Sequence, residues 1–125
     1  MMTQKTLPGA PDDADAPPDA CPTRVRNLFD EAAPPARGER FDTLLRQGRL
    51  MIERIVSSAQ VEPQEYVQIQ DEWALMVQGK ATLRIGERVL ELESGDHVFL
   101  PAGTPHCVET VSPGALWLAV HLYPE

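Results

Sequence analysis

Twelve residues, Gly95-Asp96-His97-Val98-Phe99-Leu100-Pro101-Ala102-Gly103-Thr104-Pro105-His106, restrict what this chain can fold into more than any other stretch. Gly95, after Glu93-Ser94, permits a positive φ and so a chain reversal. His97 to Leu100 is short and mostly apolar, as a buried strand should be. Pro101 ends that strand because proline has no N–H to give to a ladder. Ala102-Gly103-Thr104-Pro105 is turn chemistry, and His106 opens a further strand toward Val111.

The spacing Gly95-x5-Pro101-x-Gly103-x2-His106 resembles the second signature motif of the cupin superfamily. The resemblance implies a small antiparallel barrel, with the motif histidine pointing inward and commonly binding a metal ion. The family motif usually ends in asparagine four residues after the histidine, where this chain has Thr110. A first motif would place two histidines one residue apart, then a glutamate, then a glycine. Glu72 and Gly79 fit its second half, whereas Tyr66 and Gln68 stand where the histidines would be. The resemblance therefore implies the fold and half of the usual ligand set. Tyr66, Gln68, Glu72 and Trp73, together with Trp117 to His121, further resemble a subgroup of small bacterial single-domain cupins.

The 125 residues suffice for one domain, and a net charge of −8 with pI near 4.8 argues against nucleic acid or an anionic membrane as partner. The longest apolar run, Ala115 to Val120, is strand-sized and far short of the ~20 residues that span a bilayer. The first residues carry Pro and Asp where a secretion signal needs an apolar core. Cys21 and Cys107 lie far apart and fit free thiols better than a disulfide. A cytoplasmic protein is expected.

Taken in order, residues 1–24 form an acidic Pro/Ala-rich tail with little to bury, expected to be extended or disordered. Residues 25–48 form an N-terminal segment in which Phe41, Leu44 and Leu45, at i, i+3 and i+4, predict a short helix ended by Gly48 and packed on the barrel. From Arg49 the period becomes that of strands. Leu50–Val56, Glu65–Gln70, Trp73–Val77, Ala81–Ile85, Arg88–Leu92, His97–Leu100, Cys107–Val111 and Ala115–Tyr123 are separated by turn residues. The fold class is all-β, and with the resemblance it is a small antiparallel β-barrel, the double-stranded β-helix or jelly roll, over residues 49–125. So small a domain buries a low fraction of its surface, and cupins are commonly dimers, so a homodimer is expected.

The candidate site follows from the motifs and from strand register. If the turn at Pro113-Gly114 has two or four residues, His106 and His121 face each other on one hairpin and both rings reach one ion. An odd loop would put them on opposite faces. Glu72, His106 and His121 would make a two-histidine, one-carboxylate set suited to Fe, Mn, Zn or Ni, with Gln68 as an added ligand. Tyr66, Gln68 and Trp73 are the candidate ligand-binding residues, and Glu72 and Tyr66 the candidate catalytic ones, moving protons. Cys107, one residue from His106, is excluded as a ligand by strand alternation, and His97 is read as structural. Two functions remain open. One is a metal-dependent enzyme on a small polar molecule, of oxygenase, isomerase or lyase type. The other is a non-catalytic ligand-binding or structural cupin dimer without metal.

Overall fold

A computed structural model describes residues 23–125. The described chain is all strand, turn and loop: β1 (Glu39–Gln47), β2 (Leu50–Ser57), β3 (Asp71–Gln78), β4 (Lys80–Ile85), β5 (Arg88–Glu93), β6 (His97–Leu100), β7 (His106–Val111) and β8 (Ala115–Leu122). They form two antiparallel sheets, a five-stranded one in the order β1-β2-β8-β3-β6 and a three-stranded one in the order β5-β4-β7. The two sheets close face to face as a jelly roll, the architecture the turn spacing and the motif imply.

Between the sheets lies a core of Ala74, Met76, Ala81, Leu83, Leu92, Ala115 and Trp117. Alternation explains the selection. On β3, Glu72, Ala74 and Met76 turn inward and are buried, while Trp73, Leu75 and Val77 turn outward. On β8 the inward set is Ala115, Trp117, Ala119 and His121, which pair across with β2 and β3. Met76 is fully buried, which stabilises the fold by roughly 1.5–3 kcal/mol on transfer grounds.

Three features differ from the sequence reading. The expected helix at 39–47 is β1, paired with β2 across the two-residue turn Gly48-Arg49. Its register shifts between Thr43 and Leu45, and this bulge explains the misreading. One extra residue moves Leu45 to the face opposite Phe41, so an interrupted period of two imitates a helical stripe. Glu65–Gln70, expected as a strand, makes only a single bridge, Tyr66 with His106. Finally, β7 and β8 are not a hairpin. β7 pairs with β4 in one sheet, while β8 lies between β2 and β3 in the other.

The chain changes sheets four times, and three of these corners gather at one end of the barrel. Gly79 carries the chain from β3 to β4, Ser94-Gly95 from β5 to β6, and Ser112 to Gly114 from β7 to β8. They are hydrogen-bonded to one another: Gly79 N donates to Ser94 Oγ (3.0 Å), Lys80 N to Ser112 Oγ (3.0 Å) and Gly114 N to Ser57 O (2.9 Å). With this end tied shut, the opposite end is left to the loop before β3 and to the turn at 101–105. Outside the barrel, Arg54 fastens the N-terminal segment to β2, donating to Leu28 O (2.8 Å) and pairing with Asp42 (2.7 Å).

Candidate functional site

The open end of the barrel leads into a cavity of about 140 Å³. Its apolar wall includes Phe41, Ile55, Ala74, Leu83, Leu100, Val108 and Trp117, and its polar lining is Glu39, Glu53, Glu72, Tyr66, Gln68, His106 and His121. Five strands and one loop deliver the polar groups. Glu39 comes from β1, Glu53 from β2, Glu72 from β3, His121 from β8 and His106 from the first residue of β7. The loop is drawn over the cavity by backbone bonds: Tyr66 N to His106 O (2.8 Å), His106 N to Tyr66 O (3.0 Å) and Gly103 N to Gln68 O (2.8 Å). Tyr66, 46% exposed, stands at the rim.

His121 and His106 share this cavity although their strands do not pair. Glu72 is the direct cross-strand partner of His121, and Met51 flanks it on the other side. The two histidines are in opposite situations. His121 has both ring nitrogens engaged, Nε2 at 2.8 Å from Glu53 Oε2 and Nδ1 at 3.2 Å from the Gln70 amide. When Nδ1 carries a proton, the amide need only turn to offer its oxygen. Burial works against a charge on His121, but the Glu53 hydrogen bond and the charges of Glu72 and Glu53 outweigh it, and the pKa is raised. His106 places Nδ1 at 2.9 Å from Thr104 O, a carbonyl that can only accept. Nδ1 therefore carries the proton, and Nε2 keeps its lone pair with no partner among the described residues.

The carboxylates are also fixed. Glu72, 8% exposed, accepts from Gln68 Nε2 at 3.0 Å. Glu39 accepts from Ser57 Oγ at 2.6 Å, and Ser57 accepts in turn from the Trp117 indole at 3.1 Å. Burial raises the Glu39 pKa, the Ser57 bond lowers it in part, and the charges of Glu53 and Glu72 raise it further.

Of the residues singled out from sequence, Tyr66, Gln68, Glu72, His106 and His121 all line the cavity. Trp73 does not. With Glu72 inward, period two sends Trp73 to the outer face, where its ring lies 5.3 Å from that of His97. Cys107 is buried, unpaired and outside the lining. Glu39, Glu53 and Gln70 belong to the site and were not singled out. Glu39 lay in the stretch read as helix, and Glu53 beside Arg54 gave no sign of which of the two turned inward.

A family model of the cupin domain matches residues 52–121. The chain belongs to the cupin family. Among proteins of curated function, none matches it. Among solved structures, this cupin is similar to a candidate mannose-6-phosphate isomerase from Ralstonia eutropha JMP134, with 31% identity over 81% of this chain and 99% of that one and a TM-score of 0.72. It is also similar to a conserved protein of unknown function from Streptococcus pyogenes, at 21% identity over 82% of this chain and 89% of that one, TM-score 0.70. KdgF from Halomonas sp. shares the fold at 17% identity over 70% and 81%, TM-score 0.65.

The divalent metal expected at Glu72, His106, His121 and Gln68 does not fit the side chains as they are arranged. Among the described residues no group of three or more His, Cys, Asp or Glu is disposed to hold an ion. The contacts above give the reason. His121 has no free nitrogen, and Gln68 turns its N–H group, not its oxygen, toward Glu72. Also among the described residues, no helix is long and apolar enough to cross a membrane.

Proposed function

We propose that this cupin binds one small polar molecule in the open end of its barrel and moves a proton on it, without a resident metal ion. The observation that carries this reading is the state of His106. His106 is 8% exposed, its Nδ1–H is committed to Thr104 O, and Nε2 faces a polar-lined cavity with no partner among the described residues. An oriented imidazole with one bare nitrogen is the form a general base takes. Glu72, in the cavity wall near the start of β3, receives or returns the proton, and the Tyr66 hydroxyl at the rim donates to a bound oxygen. The Glu53–His121 pair anchors charge and touches no reacting atom in this scheme. Isomerase-type chemistry is the reaction class favoured, since such a reaction needs only proton transfer, and the relative from Ralstonia eutropha is a candidate isomerase. A phosphate ester is not the substrate favoured here, because among the described residues the lining holds three glutamates and no Lys or Arg.

Elemental mass spectrometry on chelator-free, untagged protein tests the metal-free part, with substoichiometric metal expected. Near-stoichiometric metal that disappears in a His106→Ala, His121→Ala double variant would overturn it. Solvent-deuterium incorporation into small hydroxy- and amino-carbonyl compounds tests the proton transfer, with at least a hundredfold loss expected in His106→Gln.

We also propose that the chain forms a homodimer through the outer face of the five-stranded sheet. Trp73, Leu75, Val120 and Phe99 stand together there by register, and Phe99 is 56% exposed.

A further inference from the structure

Taking the barrel cavity as the small-molecule site, we propose that its ligand is a small organic cation carrying N–H donors, such as a primary ammonium compound. The reasoning is a donor and acceptor count on the cavity surface. Each of Glu39, Glu53 and Glu72 has one oxygen tied to a protein donor, and the other has no partner among the described residues. His106 adds its bare Nε2, on a ring 8% exposed. Against these acceptors, Tyr66 offers a single hydroxyl donor, since the Gln68 amide is already spent on Glu72. Acceptors that face a confined, partly apolar cavity favour donors, so a molecule that brings several N–H groups satisfies this surface and one that brings only acceptors does not.

Charge selects further. His121 compensates one of the three carboxylates through its pair with Glu53, and among the described residues no Lys or Arg lines the cavity. A residual negative charge in a partly apolar enclosure favours a cation and rejects an anion. The alternative cation, a bare metal ion, needs its ligands to converge, and among the described residues no three His, Cys, Asp and Glu side chains do so. The acceptors are spread around the wall, which suits donors spread over an organic molecule. Size follows from the volume. An apolar cavity of ~150 Å³ takes a benzene-sized guest, so about six heavy atoms fit inside, and any remainder passes the rim at Tyr66.

The test is an NMR titration of the intact chain, read on the Trp117 indole and the His106 ring, with four organic or anionic probes and Zn²⁺. Cyclopentylammonium is the cation, cyclopentanol its neutral isostere, and cyclopentanecarboxylate and inorganic phosphate are the anions. The cation is expected to bind at least tenfold more tightly than cyclopentanol, with no response to either anion. Glu72→Gln should erase most of that preference, weakening the cation far more than cyclopentanol, and Glu39→Gln serves the same purpose if Glu72→Gln does not fold. Equal or tighter binding of cyclopentanol or of an anion would sink this inference and leave the small-molecule reading standing. Stoichiometric Zn²⁺ binding at the same signals would sink both the inference and the metal-free reading. Silence from every probe would overturn the cavity as a binding site altogether.

Discussion

His121 is held between partners whose effects on its proton oppose burial. Burial disfavours its charge, yet the hydrogen bond to Glu53 and the charges of Glu72 and Glu53 prevail and raise its pKa above the ordinary 6.5. The folded chain therefore binds this proton more tightly than the unfolded one. The resulting stabilisation is complete below the unfolded value and is lost as pH rises through the folded value. Glu39 acts in the same sense from a lower starting point, since its folded pKa is raised above 4.5 by burial first and then by Glu53 and Glu72. Thermal midpoints should fall by several degrees from about pH 6 to pH 8.5, the range in which a raised histidine titrates. In Glu53→Gln the hydrogen-bonding charge is gone, so the slope should flatten, with a loss of about 1–3 kcal/mol near pH 6. An unchanged slope in the variant, measured by calorimetry across that range, would show that Glu53 does not set the His121 proton. Glu53 itself was not legible in sequence for a physical reason. β2 is apolar on both faces, so alternation could not say whether Glu53 or Arg54 turned inward. His106 was legible because a turn of fixed glycine and proline spacing precedes it.

At the scale of elements, local turns were readable and sheet membership was not. The hairpin joining β4 and β5 at Gly86-Glu87 follows from its two turn residues and is found in the sheet. Gly79 and Pro113-Gly114 carry equally strong turn signals, yet neither closes a hairpin, because each hands the chain to the other sheet. Nothing in a two-residue turn distinguishes reversal within a sheet from a crossing between sheets. The choice is made by long-range packing of the corners against one another. Hence the expected pairing of β7 with β8 failed, while both histidines still turned inward through separate partners. Gly79 shows how tightly those corners are packed. Its φ is +111°, and a Cβ there would lie 2.8 Å from Ser112 Oγ and 3.0 Å from Ala115 Cα. Gly79→Ala combines a backbone conformation that L residues avoid with a collision against backbone, and should cost about 2 kcal/mol or more. Gly86, whose added Cβ would meet nothing within 4 Å, is the control, limited to the φ cost alone. Urea unfolding of the two variants side by side checks this, and equal losses would mean that the corner contact carries no weight.

For the whole molecule, the pattern of the central strands is what supports the proposed homodimer. A sheet with one wet face alternates apolar and polar residues, whereas β8 reads Ala-Leu-Trp-Leu-Ala-Val up to His121 and is apolar on both sides. Its inward residues meet the core. Its outward residue Val120 pairs with Ile52 on one side and Trp73 on the other, with Phe99 beyond Trp73 at the sheet edge. The N-terminal segment is anchored at Arg54 and supplies one part of an outer layer. A second copy related by a two-fold axis would cover the region around Val120, since an isologous contact lets one apolar patch bury itself against its twin. The uncovered patch also explains why a barrel this small would gain from pairing, as little of a small domain's surface is buried internally. Light scattering behind size exclusion should therefore give about twice the chain mass of 13.8 kDa. Val120→Lys places a charge at the centre of the contact and should yield monomer, with thermal stability becoming independent of protein concentration. Wild-type protein that is monomeric at high micromolar concentration would refute the dimer. It would leave the apolar outer face to be explained by another partner.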